Sequence, residues 1–211
     1  MRILVIGASK GTGALAVKIA LERGHDVTAF ARSPDRLDVQ HPRLTRRTGD
    51  FHDPASVAAA MPGQDAVIVT ASSSSLRGFK ERPDYFSRGT GHVIVAMKAQ
   101  GVKRLVVLSA LGVGESRKLV NFLVDKVVLS WLLERPFLDH ERQEQLVRAS
   151  GLDWVIARPS RLIDGPSRGR TVRKTGVEPV PGSITRTDVA AFLVEACETD
   201  AWVGQAVQLG G

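Results

Sequence analysis

Seven residues near the start of the chain, Gly7-Ala8-Ser9-Lys10-Gly11-Thr12-Gly13, set three glycines around a lysine. That mixture suits a pair of linked phosphates. One glycine permits a tight turn, and the others let a pyrophosphate and the opposing strand approach the backbone closely. The apolar run Ile3-Leu4-Val5-Ile6 precedes the turn, and a helical pattern with Leu15, Ile19, Ala20 and Leu21 follows it. Strand, glycine-rich turn and helix is the context in which such a heptapeptide reads as a dinucleotide site. The helix N-terminus would offer free N–H groups and a partial positive charge to the phosphates.

Open doubly wound sheets bind ligands outside the carboxyl ends of their strands, so the residues that come after each expected strand carry the argument. Arg32 and Ser33 follow the second strand, with Arg36 one turn later. Asp50 and Phe51 follow the third, Ala71, Ser72 and Ser73 the fourth, Ser109 the fifth, and Pro159 and Ser160 the sixth. A carboxylate after the second strand would hold a ribose 2′-hydroxyl and repel a 2′-phosphate. Arg32 stands there instead, with Lys10 in the facing turn, which favours NADP(H) over NAD(H). Arg36 is either a third cation or a solvated residue. Asp50 is placed to accept from an adenine amino group while Phe51 lies against the ring, and Asp53 suits the N-cap of the next helix better. Ser109 stands where a nicotinamide and a substrate would meet. It is a candidate to orient a substrate oxygen or the carboxamide, against the plainer reading of a turn serine. His140, beside Asp139, is either the proton donor or a surface-helix histidine.

The elements that must position these residues alternate between strand-like and helix-like. Strands are expected at Arg2–Ile6, Val27–Ala31, Leu44–Thr48, Ala66–Thr70, Arg104–Leu108, Trp154–Ala157 and Ala206–Leu209. Helices are expected at about Thr12–Glu22, Pro54–Met61, Thr90–Gln100, Leu138–Ala149 and Val189–Cys197, the last capped by Thr187-Asp188. A loop rich in Gly, Arg and Pro is expected from 160 to 183. The apolar segment Leu119–Leu133 reads as a buried or subunit-facing helix, separated from the next by Pro136. The fold class is α/β, a Rossmann doubly wound parallel sheet of about seven or eight strands with helices on both faces. A single NAD(P)-binding domain over 1–211 is expected, with substrate-side segments at about 72–90, 110–137 and 160–183.

Bulk properties agree. The chain has 211 residues, 43% hydrophobic and 24% charged, with one cysteine, Cys197. That fits a reducing, cytoplasmic setting without a disulfide framework. No stretch approaches the ~20 apolar residues of a membrane span, and no signal peptide is expected. The formal net charge is +7, but the basic residues are scattered and aromatics make up 5%. Stacking platforms for nucleic acid are therefore scarce, and no nucleic-acid partner is expected. A solvated basic surface, or an attractive field for an anionic cofactor, accounts for the charge.

Taken together, these residues resemble the short-chain dehydrogenase/reductase superfamily. The likeness is to its atypical members, the NAD(P)H-dependent flavin reductase (biliverdin-IXβ reductase) and NmrA-like proteins. It is carried by Gly7–Gly13, Phe30-Ala31-Arg32, Gly49-Asp50-Phe51-His52-Asp53, Asp139-His140, Leu152-Asp153-Trp154 and Arg158-Pro159. The resemblance implies a Rossmann fold and a reduced nicotinamide cofactor. By position it implies cofactor contacts from Ser9, Lys10, Thr12, Arg32, Asp50, Ser72, Ser73, Ser109 and Pro159, with Ser109 and His140 bordering the substrate. The glycine spacing is that of the superfamily's typical branch, where a basic residue at the Lys10 position accompanies NADP. That branch uses a Tyr-x-x-x-Lys pair. Here the only tyrosine is Tyr85, and Phe122 with Lys126 stands at the expected distance after Ser109. A histidine found after strand six in some flavin reductase-like members is replaced by Ser160. The expectation is an NADPH-dependent oxidoreductase passing hydride to a small-molecule acceptor, flavin, quinone-like or tetrapyrrole, as a monomer or homodimer. The alternative is a non-catalytic NADP(H)-sensing regulator of the NmrA-like kind.

Overall fold

The computed structural model describes residues 1–71, 83–119 and 134–211. Ten strands and five α-helices are found among them. β1 (Arg2–Ile6), β2 (Asp26–Ala31), β3 (Leu44–Thr48), β4 (Ala66–Val69), β5 (Arg104–Leu108) and β6 (Asp153–Pro159) run parallel. β10 (Gln205–Gly210) joins β6 in parallel, and β8 (Val172–Thr175) closes the edge antiparallel to β10. The order is β3-β2-β1-β4-β5-β6-β10-β8. The chain therefore reverses direction across the sheet between β1 and β4, which is where such folds open a ligand crevice.

The central strands are apolar because both faces are covered. Ile3, Leu4, Val5 and the β4 residues Ala66, Val67 and Ile68 are fully buried. One face carries α1 (Gly11–Glu22) and α5 (Arg186–Glu198), packed together over Val5, Ala29, Ile68 and Val207. The other carries α2 (Pro54–Ala60), α3 (Tyr85–Gln100) and α4 (Glu134–Arg148) over Leu4, Phe30, Val67 and Leu105. Edge strand β3 is the exception, with Thr45, Arg46, Arg47 and Thr48 exposed.

Four local readings change. α3 begins at Tyr85 rather than Thr90, and its first turn is capped from a distance. Asp139 of α4 accepts from Phe86 N at 2.6 Å, Ser87 N at 3.4 Å and Ser87 Oγ at 2.5 Å. α5 begins one turn earlier than expected. Thr185 is its N-cap, accepting from Asp188 N at 3.0 Å, while Asp188 takes bonds from Ser167 Oγ and Arg168 N in the preceding loop. The expected loop from 160 to 183 contains β8 and a short parallel pair, β7 (Arg161–Ile163) with β9 (Ser183–Thr185). Three-residue strands carry too little pattern to be read from sequence. Pro136 lies within α4, and the expected helix at Leu119–Leu133 and the Phe122/Lys126 pair fall outside the described residues.

Candidate functional site

The carboxyl ends of β1, β2, β4 and β5 open onto one cleft of about 660 Å³. Its floor is the glycine turn. Gly7 N and Ala8 N donate to Phe30 O at 3.0 and 3.3 Å, which ties the turn to the end of β2. A Cβ on Gly7, whose φ is +89°, would stand 2.6 Å from Ala71 N; one on Gly13 would stand 2.3 Å from Gly7 O. Gly7 thus lets the turn pass the end of β4, and Gly13 lets α1 sit down on the strand. Gly13 packs the helix and does not line the cleft. α1 has no side-chain cap and no acidic residue in its first turn. Its leading N–H groups and partial positive charge remain available to an anion.

Of the residues singled out from sequence, Gly7, Ser9, Lys10, Gly11, Thr12, Arg32, Ser33, Arg36, Asp50, Phe51, Ala71, Ser109 and His140 line this one cleft. Pro159 and Ser160 do not. Pro159 is buried at the end of β6, and Ser160 is 6% exposed with its N–H donating to Leu209 O. Both are taken up by the end of the sheet because β6 continues to Pro159 instead of ending at Ala157. Ser72 and Ser73 lie outside the described residues. Asp50 accepts from His52 N at 2.9 Å, and Asp53 caps α2 through Ala55 N and Ser56 N. Phe51 is 5% exposed, wedged where a Cβ on Gly89 would meet its ring at 2.2 Å.

The cleft is cationic where β1 and β2 end. Lys10, Arg32 and Arg36 lie there with a residue the sequence reading missed, Arg186 at the start of α5. Asp50 and Asp164 are the carboxylates in the lining. Aromatic rings line the same cleft. The chain holds 7 Phe, 3 Trp and 1 Tyr, yet Phe30, Phe51, Tyr85 and Phe86 all line this cleft. Tyr85 meets Phe86 edge-on at 5.4 Å. Phe86 stacks on His140 at 3.7 Å with the planes 20° apart.

Ser109 and His140 are both held from behind. Ser109 Oγ donates to Glu144 Oε1 at 2.7 Å, which leaves the serine oxygen as an acceptor toward the cleft. Glu144 is 3% exposed and pairs with Arg158, which is fully buried at the end of β6. Glu115 accepts from the same guanidinium at 2.8 and 3.1 Å. Burial works against the Arg158 charge, but Glu144 and Glu115 outweigh it and hold the guanidinium more firmly protonated than usual. His140 Nδ1 lies 2.9 Å from Gln143 Oε1, and Gln143 Nε2 donates to Thr90 Oγ1. An amide oxygen only accepts, so Nδ1 carries the ring hydrogen. Burial lowers the His140 pKa below its ordinary 6.5, against the smaller raising effects of Gln143 and Glu144. His140 is therefore a neutral acceptor at Nε2, not a ready proton donor. Asp139, its sequence neighbour, faces α3 instead. The one trace of the Glu144–Arg158 pair in the sequence was an arginine closing an apolar strand, a buried charge that requires a partner.

A nucleotide-binding Rossmann protein is the class that this fold and cleft define. The chain belongs to the NAD(P)H-binding family, whose pattern matches residues 7–200, in keeping with the superfamily that the sequence motifs resemble. It is similar to ChuY, an anaerobillin reductase of Escherichia coli O157:H7, with a TM-score of 0.80 and 26% identity over 99% of this chain and 96% of that one. It is 29% identical over 219 residues to the (4-alkanoyl-5-oxo-2,5-dihydrofuran-3-yl)methyl phosphate reductase of Streptomyces griseus, covering 99% of this chain and 67% of that protein. A 3-beta-hydroxysteroid dehydrogenase of Mycolicibacterium neoaurum is 36% identical over 113 residues, half of this chain and 31% of its own length. The chain spans two thirds or less of several curated relatives. These relatives make the family one of NAD(P)H-binding oxidoreductases. Among the described residues no helix is long and apolar enough to cross a membrane.

Proposed function

We propose that the protein is an NADPH-dependent reductase acting on a flat, conjugated acceptor such as a flavin, a quinone-like ring or a tetrapyrrole. The observation that carries this reading is a single cleft that combines cations at the ends of β1 and β2 with the Tyr85, Phe86 and His140 rings of α3 and α4. Lys10, Arg32 and Arg36 stand where β1 and β2 end, and would hold the adenosine ribose phosphate. Ser109 follows β5. β2 and β5 are three strand spacings apart, about 14 Å at ~4.8 Å each, a span suited to a dinucleotide laid across the sheet. When bound, a reduced nicotinamide supplies the hydride. Ser109 offers an oxygen lone pair to a carboxamide N–H, and Glu144 fixes that orientation. The Tyr85, Phe86 and His140 rings form a wall against which a flat acceptor can stack. Reduction of such a ring depends mainly on orientation and little on an acid. This accords with a serine whose hydrogen is already given away and a histidine that burial keeps neutral.

The test is an acceptor panel. NADPH oxidation is expected with FMN, a quinone or a linear tetrapyrrole, and slow or absent turnover with simple aliphatic ketones. Turnover of aliphatic ketones alone would sink the reading. The same two committed protons also favour a second reading, an NADP(H)-sensing regulator. Tight NADPH binding with no turnover of any acceptor would decide for it.

A further inference from the structure

We infer that Arg186, far from the glycine turn in sequence, is a clamp for the cofactor's diphosphate that rests on Asp164 until the diphosphate replaces it. This deepens the cofactor assignment above and rests on it. Three observations carry the inference. First, Arg186 lies over the phosphate-binding turn. A Cβ on Gly11 would stand 4.0 Å from its Cδ and Nε, and both Arg186 and Gly11 line the cleft. Second, its described partner is a weakly held one. Arg186 Nη1 donates to Asp164 Oδ1 at 2.7 Å, with the arginine side chain 29% exposed and the aspartate 92% exposed. A carboxylate so fully in water gains little from the pair. A diphosphate is more highly charged and accepts both arms of a guanidinium fork.

Third, a dedicated piece of the fold places the two side chains together. β7 and β9 are three residues each and pair in parallel, with Ile163 opposite Thr185. Asp164 and Arg186 are the next residue of each strand, so the ladder delivers both to the same carboxyl edge. Thr187 Oγ1 then donates to Gly165 O at 2.8 Å, and Thr185 caps α5. The edge is held rigid while the ion pair itself remains in solvent. Asp164 keeps the guanidinium extended over the turn and gives it up to a stronger anion.

A diphosphate is common to NADPH and NADH and absent from 2′-AMP, so three probes separate the sources of affinity. Fluorescence titration of the wild type, Arg186→Met and Asp164→Asn with NADPH and NADH, and competition by 2′-AMP, provide the readout. Arg186→Met is expected to weaken NADPH and NADH by a similar factor, about 10-fold, the worth of roughly one charge-assisted contact, with 2′-AMP unchanged. Asp164→Asn is expected to bind both dinucleotides as tightly as the wild type or more so. The clamp is overturned if Arg186→Met leaves NADPH affinity unchanged, or weakens NADPH while sparing NADH. It is equally overturned if Asp164→Asn weakens both. Should Arg186→Met fail to fold, Arg186→Lys keeps the charge without the fork, and an unchanged affinity there sinks the proposal too. Wild-type protein that binds neither dinucleotide would bring down the cofactor assignment, and the clamp with it.

Discussion

Glu144 holds two residues at once beneath the cleft. Its Oε1 accepts from Ser109 and from Arg158 Nε, and its Oε2 from Arg158 Nη2. Arg148 lies at 3.6 Å on the outer side. Truncating Glu144 leaves a fully buried guanidinium whose remaining carboxylate among the described residues is Glu115, which is half exposed. Breaking a buried pair from one end costs about 3–5 kcal/mol. Glu144→Ala should therefore lower the unfolding free energy read from urea denaturation by that amount, while Arg158→Met in the same background should recover part of the loss. If Glu144→Ala is as stable as the wild type, the pair is not what holds Ser109 in place. Arg32 is a second test at this scale. It lines the cleft where β2 ends, and one charge-assisted contact to a 2′-phosphate is worth about 1.5–3 kcal/mol. Arg32→Ala is expected to reduce the preference for NADPH over NADH by about tenfold or more in paired titrations. An unchanged ratio would remove Arg32 from cofactor selection.

Among the elements, α3 and α4 are joined by an aspartate that caps a helix other than its own. Asp84 precedes α3 but makes no side-chain cap. Asp139 supplies it across 53 residues of sequence, from a position 2% exposed. The same turn of α3 carries Tyr85 and Phe86, so the cap also fixes two of the rings that line the cleft. Asp139→Ala should cost at least the ~1–2 kcal/mol of a lost N-cap. Hydrogen exchange should show Phe86 and Ser87 amides losing protection before those at the C-terminal end of α3. Uniform loss along α3 would mean that packing, not capping, holds that turn. Asp188 does comparable work on α5. Burial raises its pKa, but bonds from Ser167, Thr185 and the Arg168 N–H outweigh that and lower it, tying the loop before β8 to the helix.

Across the whole molecule, acid acts in one direction. His140 has a depressed folded pKa. The unfolded chain therefore takes up that proton first, and the contribution, complete above 6.5, is lost as pH falls through the folded pKa. Asp65, Glu115 and Asp188 are also depressed, from 3.8, 4.5 and 3.8, and their stabilising contributions are lost at still lower pH. Urea midpoints between pH 8 and 5 should fall for the wild type and fall less for His140→Asn. Parallel curves would mean that His140 is not protected from protonation by the fold. Cys197 takes no part: burial pushes its thiol up to about 12.

The cleft lining at the ends of β1 and β2 was legible from the amino-acid sequence because its determinants are local. The glycine turn spans seven consecutive residues, and Arg32 directly follows β2, whose apolar run reveals it. A continuous apolar run fixes where a buried strand ends, and the end of a strand in a parallel sheet is where ligands sit. The rest of the cleft depends on pairings that no periodicity encodes. Ser109 meets Glu144 across 35 residues, and Asp139 caps a helix 53 residues earlier. Arg186 reaches Asp164 across 22 residues through strands too short to leave a pattern. Sequence alone determined the NAD(P)H-binding Rossmann fold and the cationic groups that line its cleft. Only the tertiary structure decided what state Ser109, His140 and Arg186 are in. A side chain's protonation and hydrogen-bonding depend on which distant groups burial forces it to share, and those neighbours exist only once the chain has folded.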